Sequence, residues 1–316
     1  MGNTVTIIGA AGKMGRWFFD YFNSIKKSSA TSKNNSDLFI DKILLYDISE
    51  INYVFTHTDE KINIVNNLSE SLKISDIVVF CTPLNVIIEI INCNVNSFKA
   101  GSIIVEISSI KSNIHKILSE ISTRKNIVTL CIHPMFGPGA SVVSTNKIIL
   151  IPVNKNNRNV EEDILNKIFS SYEKIIIEDP EKHDLAISVI ISLIYFINLV
   201  FSRLLIDLSS ANEFRFEENI IQFFKKISGS TFKIQSMLSE SILTDDVSLF
   251  LALFVNNDKS FLTFKKYNQI FIKLLDKIEK KDQKSIKDFI MTTKNSIKKE
   301  VDINNSYDIL YKFLNS

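Results

Sequence analysis

Three side chains in the middle of the chain have the types that proton transfer and anion binding require: Ser109, Lys111 and His133. His133 opens the segment HPMFGPG, residues 133–139, whose prolines and glycines hold a loop in one shape. Because an imidazole titrates near neutral pH, His133 could accept a proton from a substrate hydroxyl. Ser109 could orient that imidazole or hold the substrate, and Lys111 could hold a substrate carboxylate or neutralise local charge.

Each of these three residues also has a purely structural interpretation. A histidine in a loop often bonds only to backbone groups, a serine after a strand is often a helix cap, and a lysine is most often solvated. The three residues form a candidate catalytic set only if the fold gathers them at one place.

The stretch VTIIGAAGKMG, residues 5–15, runs an apolar strand into glycines and then into a helix. Such a turn suits a diphosphate: Gly12 lets the backbone approach the pyrophosphate, Gly15 lets helix and strand pack closely, and the helix N-terminus offers free N–H groups. Ala10 stands where the G-x-G-x-x-G pattern has its first glycine, and a tight turn without a ligand is the alternative. The predicted cofactor-binding residues of this turn are Gly9, Ala10, Ala11, Gly12, Lys13, Met14 and Gly15.

Asp47 follows the second predicted strand, Lys42 to Tyr46. In a dinucleotide fold an acid at that place accepts hydrogen bonds from the adenosine ribose, and its charge disfavours a 2′-phosphate. We therefore expect NAD rather than NADP. The connection from Gly15 to Asp47 is longer than usual, so this match requires the polar stretch 26–35 to be an insertion.

Strand and helix patterns alternate as far as Pro180, and after it only helical patterns remain. This alternation predicts an α/β fold, a Rossmann-like doubly wound and mostly parallel sheet followed by an all-helical C-terminal domain. We place an NAD-binding domain at residues 1–179 and a helical substrate and dimerisation domain at residues 180–316. Ligands of such sheets bind beyond the carboxyl ends of the strands, so one cleft can gather Gly12, Asp47, Thr82, Ser109, Lys111 and His133.

The composition excludes several classes of function. Lysine and arginine number 37 against 35 aspartates and glutamates, so the net charge of +2 gives no reason to expect a nucleic-acid partner. The three cysteines are scattered, which suits reduced thiols in a cytoplasmic protein better than disulfides or a metal site. Residues 185–202 carry no charge, and we favour a helix buried in a dimer or domain core over a membrane segment.

Four motifs in chain order resemble the prephenate and arogenate dehydrogenases of tyrosine biosynthesis. They are IIGAAGKMG, VVFCTP, EISSIKS and HPMFGPG, and together they cover much of residues 1–140. The last motif is the most specific of the four. A fifth and weaker match is EKHD, residues 181–184.

This resemblance implies an NAD-linked oxidative decarboxylation of prephenate to 4-hydroxyphenylpyruvate, with arogenate as the alternative substrate. Hydride leaves the ring carbon that carries the hydroxyl, His133 takes the hydroxyl proton, and loss of the ring carboxylate as carbon dioxide aromatises the product. By the same resemblance, Ser109 matches the family serine that bonds to histidine and substrate, and Lys111 matches a nearby lysine. The motif VVFCTP adds Cys81, Thr82 and Pro83 to the cofactor-binding residues. A soluble homodimer, joined through the C-terminal helices, is also implied.

The second half departs from the family pattern. The family's glutamine and histidine of the first long helix fall at Ile191 and Tyr195, and the arginine that usually grips a prephenate carboxylate falls at Ser241. An earlier family arginine falls at Lys233, and Glu106 stands where aspartate is common. Isoleucine and serine cannot replace charge-assisted hydrogen bonds to a carboxylate.

Three explanations for these departures stay open. Lys233, Arg203 or Arg215 serves as the substrate's cationic partner, or the substrate differs, or the protein is an impaired paralogue that acts as a nucleotide-binding module. A related 3-hydroxy acid dehydrogenase is disfavoured, because the long helix has no lysine between Asp184 and Arg203.

Overall fold

The computed structural model describes residues 2–29, 38–53, 59–142, 146–154, 158–210 and 219–315. The chain divides into two units, Met1–Ile187 and Ser188–Ser316. The first is an α/β unit and the second is helical, which confirms the predicted fold class. Residues 180–187, with which we predicted the helical domain to begin, belong to the first unit.

Within the described residues, eight strands form one sheet in the order β3-β2-β1-β4-β5-β6-β7-β8. All neighbours pair in parallel except β6 and β7. The strand order grows outward from β1 in both directions, so a switch point lies between β1 and β4, where such sheets bind ligands. The strands are β1 (Asn3–Ile8), β2 (Ile40–Tyr46), β3 (Ile62–Ile64), β4 (Ile77–Phe80), β5 (Ile103–Glu106), β6 (Val128–Pro134), β7 (Lys147–Leu150) and β8 (Glu173–Ile176).

Five of the six described helices of the first unit lie between strands, and α6 follows the last strand. Those after β1, β4 and β5 begin close to the carboxyl ends of their strands, so their N-termini lie at the ligand-binding edge of the sheet. The helices are α1 (Lys13–Ser29), α2 (Leu68–Ile74), α3 (Leu84–Asn94), α4 (Ser112–Lys125), α5 (Arg158–Ile168) and α6 (Pro180–Ile187).

Two features of the sheet differ from the sequence-based expectation. We predicted neither β3 nor α2. Strand β3 has only three residues and is partly exposed, so its apolar pattern is too short to detect. We placed His133 in a loop, but it lies inside β6. The strand continues past Ile132 because His133 and Pro134 pair with β7 in the antiparallel direction.

The helix α1 packs an aromatic face onto the sheet, as its spacing predicts. Trp17, Phe18 and Phe22 are buried in the main apolar cluster. Trp17 also donates a hydrogen bond from Nε1 to the carbonyl of Ala140 at 2.9 Å, and its ring lies 4.8 Å from that of Phe136. These contacts fix the loop that follows His133.

The glycine turn is built by close backbone contact. Gly9 has φ of +85°, a conformation that favours glycine. A Cβ on Gly15 would lie 2.1 Å from the carbonyl oxygen of Gly9 and 2.7 Å from Cα of Ala10. The close approach of helix and strand that we predicted at Gly15 is therefore present.

The second unit contains one π-helical segment and seven described α-helices. The segment Ser188–Leu193 leads into α7, which packs against α8 and α9. Stacked and edge-on rings join Phe196 with Phe254 and Phe264. The helices are α7 (Ile194–Ser210), α8 (Ile220–Ile227), α9 (Ser230–Leu243), α10 (Val247–Phe254), α11 (Asp258–Glu279), α12 (Gln283–Glu300) and α13 (Ser306–Asn315).

Replacing Gly15 with alanine tests the packing of the turn. Because the added Cβ would meet backbone atoms, which move only with the strand, we expect Gly15→Ala to lower the free energy of unfolding by about 1–3 kcal/mol. Urea denaturation measures this change. The matched control is Gly137→Ala, where an added Cβ meets no atom within 4 Å. Equal stability of the two variants would contradict the close contact.

Candidate active site

The glycine turn and the acid after β2 form one hydrogen-bonded unit. The backbone N–H groups of Gly9 and Ala10 donate to the carbonyl of Tyr46, and the N–H of Ala11 donates to Oδ2 of Asp47 at 2.9 Å. Tyr53 covers the turn from the side, with its hydroxyl donating to the carbonyl of Ala10 at 3.1 Å. Asp47 thus lies directly beside the turn, as the dinucleotide arrangement requires.

The turn has the features that a dinucleotide requires. Helix α1 begins at Lys13, directly after the glycine turn, so its N-terminus lies at the end of β1 where a diphosphate would bind. A Cβ on Gly12 would meet only the carbonyl oxygen of Gly9, at 3.3 Å, so this residue leaves its outer side open. After β4, Oγ1 of Thr82 is buried without a hydrogen-bond partner among the described residues. A ligand group that reached Thr82 would satisfy it.

The neighbours of Thr82 have structural roles. The N–H of Cys81 donates to the carbonyl of Ile8 at 2.8 Å, which joins β4 to β1 at the turn. Burial raises the pKa of the Cys81 thiol, so it stays protonated. Pro83 occupies the N-cap position of α3.

His133 is buried and in contact with a second histidine. Its Nδ1 lies 3.0 Å from Nε2 of His183, on α6. The two rings meet edge to face at 63°, with centroids 5.2 Å apart. Among the described residues, no hydrogen bond to Nε2 of His133 is found. The imidazole is therefore held at Nδ1, and no described residue is bonded to its Nε2.

The second histidine is held in turn by Asp184. Nδ1 of His183 lies 2.9 Å from Oδ1 of Asp184. The same carboxylate accepts hydrogen bonds from the N–H of Lys111 at 2.9 Å, and from the N–H and hydroxyl of Ser112 at 2.9 and 2.6 Å. Asp184 therefore caps the N-terminus of α4 with its side chain, although it belongs to a different helix.

Burial and hydrogen bonding set the charges of this group. Burial acts to raise the pKa of Asp184, but the hydrogen bonds from His183, Ser112 and Lys111 outweigh it and hold that pKa below its ordinary value. For His133, burial lowers the pKa well below 6.5, and the neighbouring His183 and the positive charge of Lys111 lower it further. His133 is neutral at neutral pH, as a general base must be.

Two roles were considered for each of Ser109 and Lys111, and the structure bears on one role of each. Ser109 is partly buried between β5 and α4, but among the described residues it has no hydrogen bond with His133. The described side-chain contact of the imidazole is with His183. This contact could not be predicted from the sequence, because the two residues lie 50 positions apart and meet only in the folded chain.

The side chain of Lys111 is fully buried and points into the sheet. Its Nζ donates to Oε2 of Glu106 at 2.7 Å and to the carbonyl of Ile132 at 2.6 Å. Glu106 is also buried and accepts a hydrogen bond from the N–H of Ser108. Of the two roles considered for Lys111, its geometry matches neutralisation of a local charge. Its ammonium supports the backbone immediately before His133.

The candidate substrate cations lie outside the first unit. Arg203 is exposed on α7 and is paired with Asp207 at 2.8 Å, while Lys233 is exposed on α9. Arg215 lies outside the described residues. Their roles stay predictions.

The family departures also fall in the second unit. Ile191 is in the π-helical segment and Ser241 is exposed on α9. Tyr195 donates from its hydroxyl to Oδ2 of Asp245 at 2.6 Å. None of these three side chains carries the positive charge that a carboxylate partner would supply.

We predicted no role for His183 and Asp184 from the sequence, although both lie in the motif EKHD. Their signal was a histidine and an acid side by side at a helix start, in a chain with only four histidines. Nothing in the local pattern shows that both side chains are buried, because their partners Ser112 and His133 lie far away in sequence.

Two further observations concern metals and membranes. Among the described residues, no cluster of histidine, cysteine or acidic side chains could hold a metal ion. One described helix, Pro180–Ser209, is long and apolar enough to cross a membrane. Such a helix alone is weak evidence, because core helices of soluble proteins have the same composition.

Comparison with known proteins gives a match to one family model and several similar folds. Residues 35–175 match the sequence model described as "Prephenate dehydrogenase, nucleotide-binding domain". A curated protein of Methanocaldococcus jannaschii, named "Probable arogenate/prephenate dehydrogenase", is 27% identical over 222 residues, which are 67% of this chain. The chain spans only 45% of the length of that relative.

Two solved structures have the same fold over nearly the whole chain. The prephenate dehydrogenase of A. aeolicus, in complex with hydroxyphenyl propionate and NAD+, aligns with a TM-score of 0.67 at 16% identity, covering 95% of this chain and 99% of its own. The arogenate dehydrogenase of Synechocystis aligns with a TM-score of 0.60 at 14% identity, covering 94% of this chain and 100% of its own. These structures confirm the fold that the motif resemblance implies, and the family model and the curated relative agree with the resemblance itself.

Removing the charge of Lys111 tests whether it is a structural residue. Because the change leaves Glu106 buried and unpaired, we expect Lys111→Met to lower the free energy of unfolding by about 3–5 kcal/mol. The double variant Glu106→Gln/Lys111→Met should recover most of that loss, since both charges are gone. Denaturant unfolding measures both effects.

The matched control for this test is Lys147→Met. Lys147 pairs with Glu173 at 3.7 Å on the surface, and its removal should cost less than about 1 kcal/mol. If Lys111→Met kept full stability and only raised KM for the substrate, the ammonium would belong to the substrate site.

Proposed function

We propose that this chain, whose residues 35–175 match the model of the prephenate dehydrogenase nucleotide-binding domain, catalyses the NAD-dependent oxidative decarboxylation of prephenate to 4-hydroxyphenylpyruvate. The observation that carries the proposal is His133. Its buried imidazole has a pKa well below 6.5, contacts His183 at Nδ1, and has no hydrogen bond at Nε2 among the described residues. This is the arrangement of a general base.

NAD is the cofactor. The family match is to a nucleotide-binding domain, and the A. aeolicus structure contains NAD+. In this chain the turn after β1 would hold the pyrophosphate, Asp47 the adenosine ribose, and Thr82 a group of the nicotinamide half. Asp47 also supports NAD over NADP, because a 2′-phosphate would meet its negative charge.

The position of His133 suits the nicotinamide end of such a cofactor. His133 is on β6, three strands from β1, which is about 14 Å across a sheet with strands about 4.8 Å apart. A dinucleotide with its pyrophosphate at β1 extends its other half over β4 and β5 toward this strand. Base and hydride acceptor can then serve one substrate.

The reaction follows from this arrangement. Nε2 of His133 accepts the proton of the substrate's ring hydroxyl while hydride leaves the carbon that bears it. NAD supplies the hydride acceptor when it is bound. The resulting ketone loses its ring carboxylate as carbon dioxide, and the electron pair of the broken bond completes the aromatic ring of the product. Aromatisation makes the conversion effectively irreversible.

Arogenate is the second candidate substrate, because a protein named for both activities is related to the chain. The two substrates have the same ring, ring hydroxyl and ring carboxylate, and they differ in the side chain. His133 would act on the hydroxyl, which both substrates have. Lys233, Arg203 and Arg215 are the cations that we propose for the substrate's carboxylates. If none of them serves, the chain is an impaired paralogue that binds nucleotide without turnover.

We also propose a homodimer that acts in the cytoplasm, with the helices of the second unit as its interface. These helices carry apolar side chains that are about half exposed, a property that favours association. Examples are Val200, Leu204 and Ile206 on α7.

Replacing His133 tests the proposed base. We expect His133→Asn to reduce kcat about 10²–10⁴-fold, because asparagine cannot accept the proton, while the Kd for NAD stays unchanged. Initial rates of NADH formation are to be measured with prephenate and with arogenate, each with NAD and NADP. The native protein should be active with NAD and one of the two acids. A native protein that binds NAD but oxidises neither acid would overturn the proposal in favour of the impaired paralogue.

The pH dependence of the rate gives a second test. A base works in its unprotonated form, so kcat/KM should be constant near neutrality and fall as the pH drops through the pKa of His133. Because burial, His183 and Lys111 all lower that pKa, the fall should begin below pH 6.5. An acid limb centred above pH 6.5 would mean that His133 is not the group that titrates.

A further inference from the structure

The two histidines and Asp184 form a continuous chain of hydrogen-bonding groups. The chain runs from Oδ1 of Asp184 to Nδ1 of His183, and from Nε2 of His183 to Nδ1 of His133, with separations of 2.9 and 3.0 Å. Each ring nitrogen in such a chain is a donor or an acceptor according to where its proton lies. The arrangement of protons therefore decides what Nε2 of His133 can do.

The carboxylate of Asp184 determines the position of the proton on His183. An ionised carboxylate only accepts hydrogen bonds, so Nδ1 of His183 must carry a proton and donate it. If His183 is neutral, its Nε2 then has a lone pair and accepts. The contact of 3.0 Å with His133 needs one donor, so Nδ1 of His133 carries the second proton. Nε2 of His133 is left with a lone pair.

His183 is fully buried between these two partners. The carboxylate of Asp184 also accepts three hydrogen bonds at the start of α4, from the N–H of Lys111 and from the N–H and hydroxyl of Ser112. The carboxylate that contacts His183 is therefore held in one place by the helix start.

We propose that His183 is a positioning residue, which Asp184 holds in its Nδ1–H tautomer and which in turn holds His133 in the tautomer with a free Nε2. This inference rests on the proposed function for its consequence, since only a base at His133 needs that tautomer. With the opposite order of protons, Nε2 of His133 would carry a hydrogen and could not accept one from the substrate. Asp184 couples this arrangement of protons to the fold, because the carboxylate that contacts His183 also caps the N-terminus of α4.

The tautomer can be measured without any enzyme activity. In protein labelled with 15N-histidine, the ring nitrogens with and without a proton have clearly different chemical shifts. The chain has only four histidines, and His133→Asn identifies the signals of His133. We expect the native protein at neutral pH to show a protonated Nδ1 and an unprotonated Nε2 at His133.

Two replacements of His183 separate positioning from packing. His183→Leu fills the buried site with an apolar side chain and removes the hydrogen-bond acceptor, so the His133 signals should shift toward the Nε2–H tautomer. His183→Gln offers a carbonyl oxygen as a substitute acceptor and should restore the native tautomer. If His183→Leu does not fold, the tautomer of His133 can be compared between two other variants, Asp184→Asn and Ser112→Ala. The first removes the ionised carboxylate, whereas the second removes only one hydrogen bond of the helix cap.

Kinetics give the second readout. His183→Leu should lower kcat about 10²–10⁴-fold, as expected when a general base is lost or held in the wrong tautomer, while the Kd for NAD stays unchanged. His183→Gln should regain most of the rate. The matched control is His115→Gln, which removes another histidine of the first unit, whose Nε2 contacts the carbonyl of Pro152 at 2.9 Å. It should keep the native rate.

The two measurements fail independently. A native protein whose His133 carries its proton on Nε2, or a His183→Leu variant with an unchanged His133 tautomer, overturns the inference whatever the activity. Inactivity of the native protein with both acids overturns the proposed function and leaves the tautomer result standing.

Discussion

The structure around the candidate site depends on one carboxylate. Asp184 accepts hydrogen bonds from the start of α4 and from the ring of His183. Its charge is stabilised by the N-terminal N–H groups of α4, which point at it. Because it is buried, it can hold that charge only while these donors are in place. The fold of residues 111–112 and the orientation of the two histidines are therefore fixed together.

A second buried charge pair supports the same region from within the sheet. Lys111 and Glu106 neutralise each other at the end of β5, and the ammonium also binds the carbonyl of Ile132. Asp184 acts on His133 through its side chain and His183, whereas Lys111 acts on the backbone before it. The imidazole and the backbone before it are thus held from two sides, without a described hydrogen bond at Nε2. Preorganisation of this kind lets a base act without rearrangement during the reaction.

Much of the first unit could be predicted from the sequence. Long apolar strands, the helical spacing of the aromatic residues in α1 and the glycines after β1 are local patterns, so they predicted the sheet, the turn and the place of Asp47. The antiparallel extension of β6 through His133 was missed because it depends on pairing with β7, which no local pattern records. Strand β3 was missed because it is short and partly exposed.

The site was predicted in part, for a physical reason. His133 stood out by its type and its surrounding prolines and glycines, but what orients it depends on burial and on contacts between distant residues. In the sequence, Lys111 follows a strand, as a lysine that binds substrate could. Only the structure shows that its ammonium pairs with the buried carboxylate of Glu106. His183 and Asp184 were visible as a motif, but their joint action through His133 and α4 required coordinates.

The most direct measurement of the central claim is a crystal structure of the protein with NAD and 4-hydroxyphenylpyruvate bound together. The account predicts that Nε2 of His133 lies about 3 Å from the hydroxyl oxygen of the product ring, with the nicotinamide over the same ring and Nδ1 of His133 still on His183. A product ring bound away from Nε2, or a nicotinamide that does not reach it, would contradict the account.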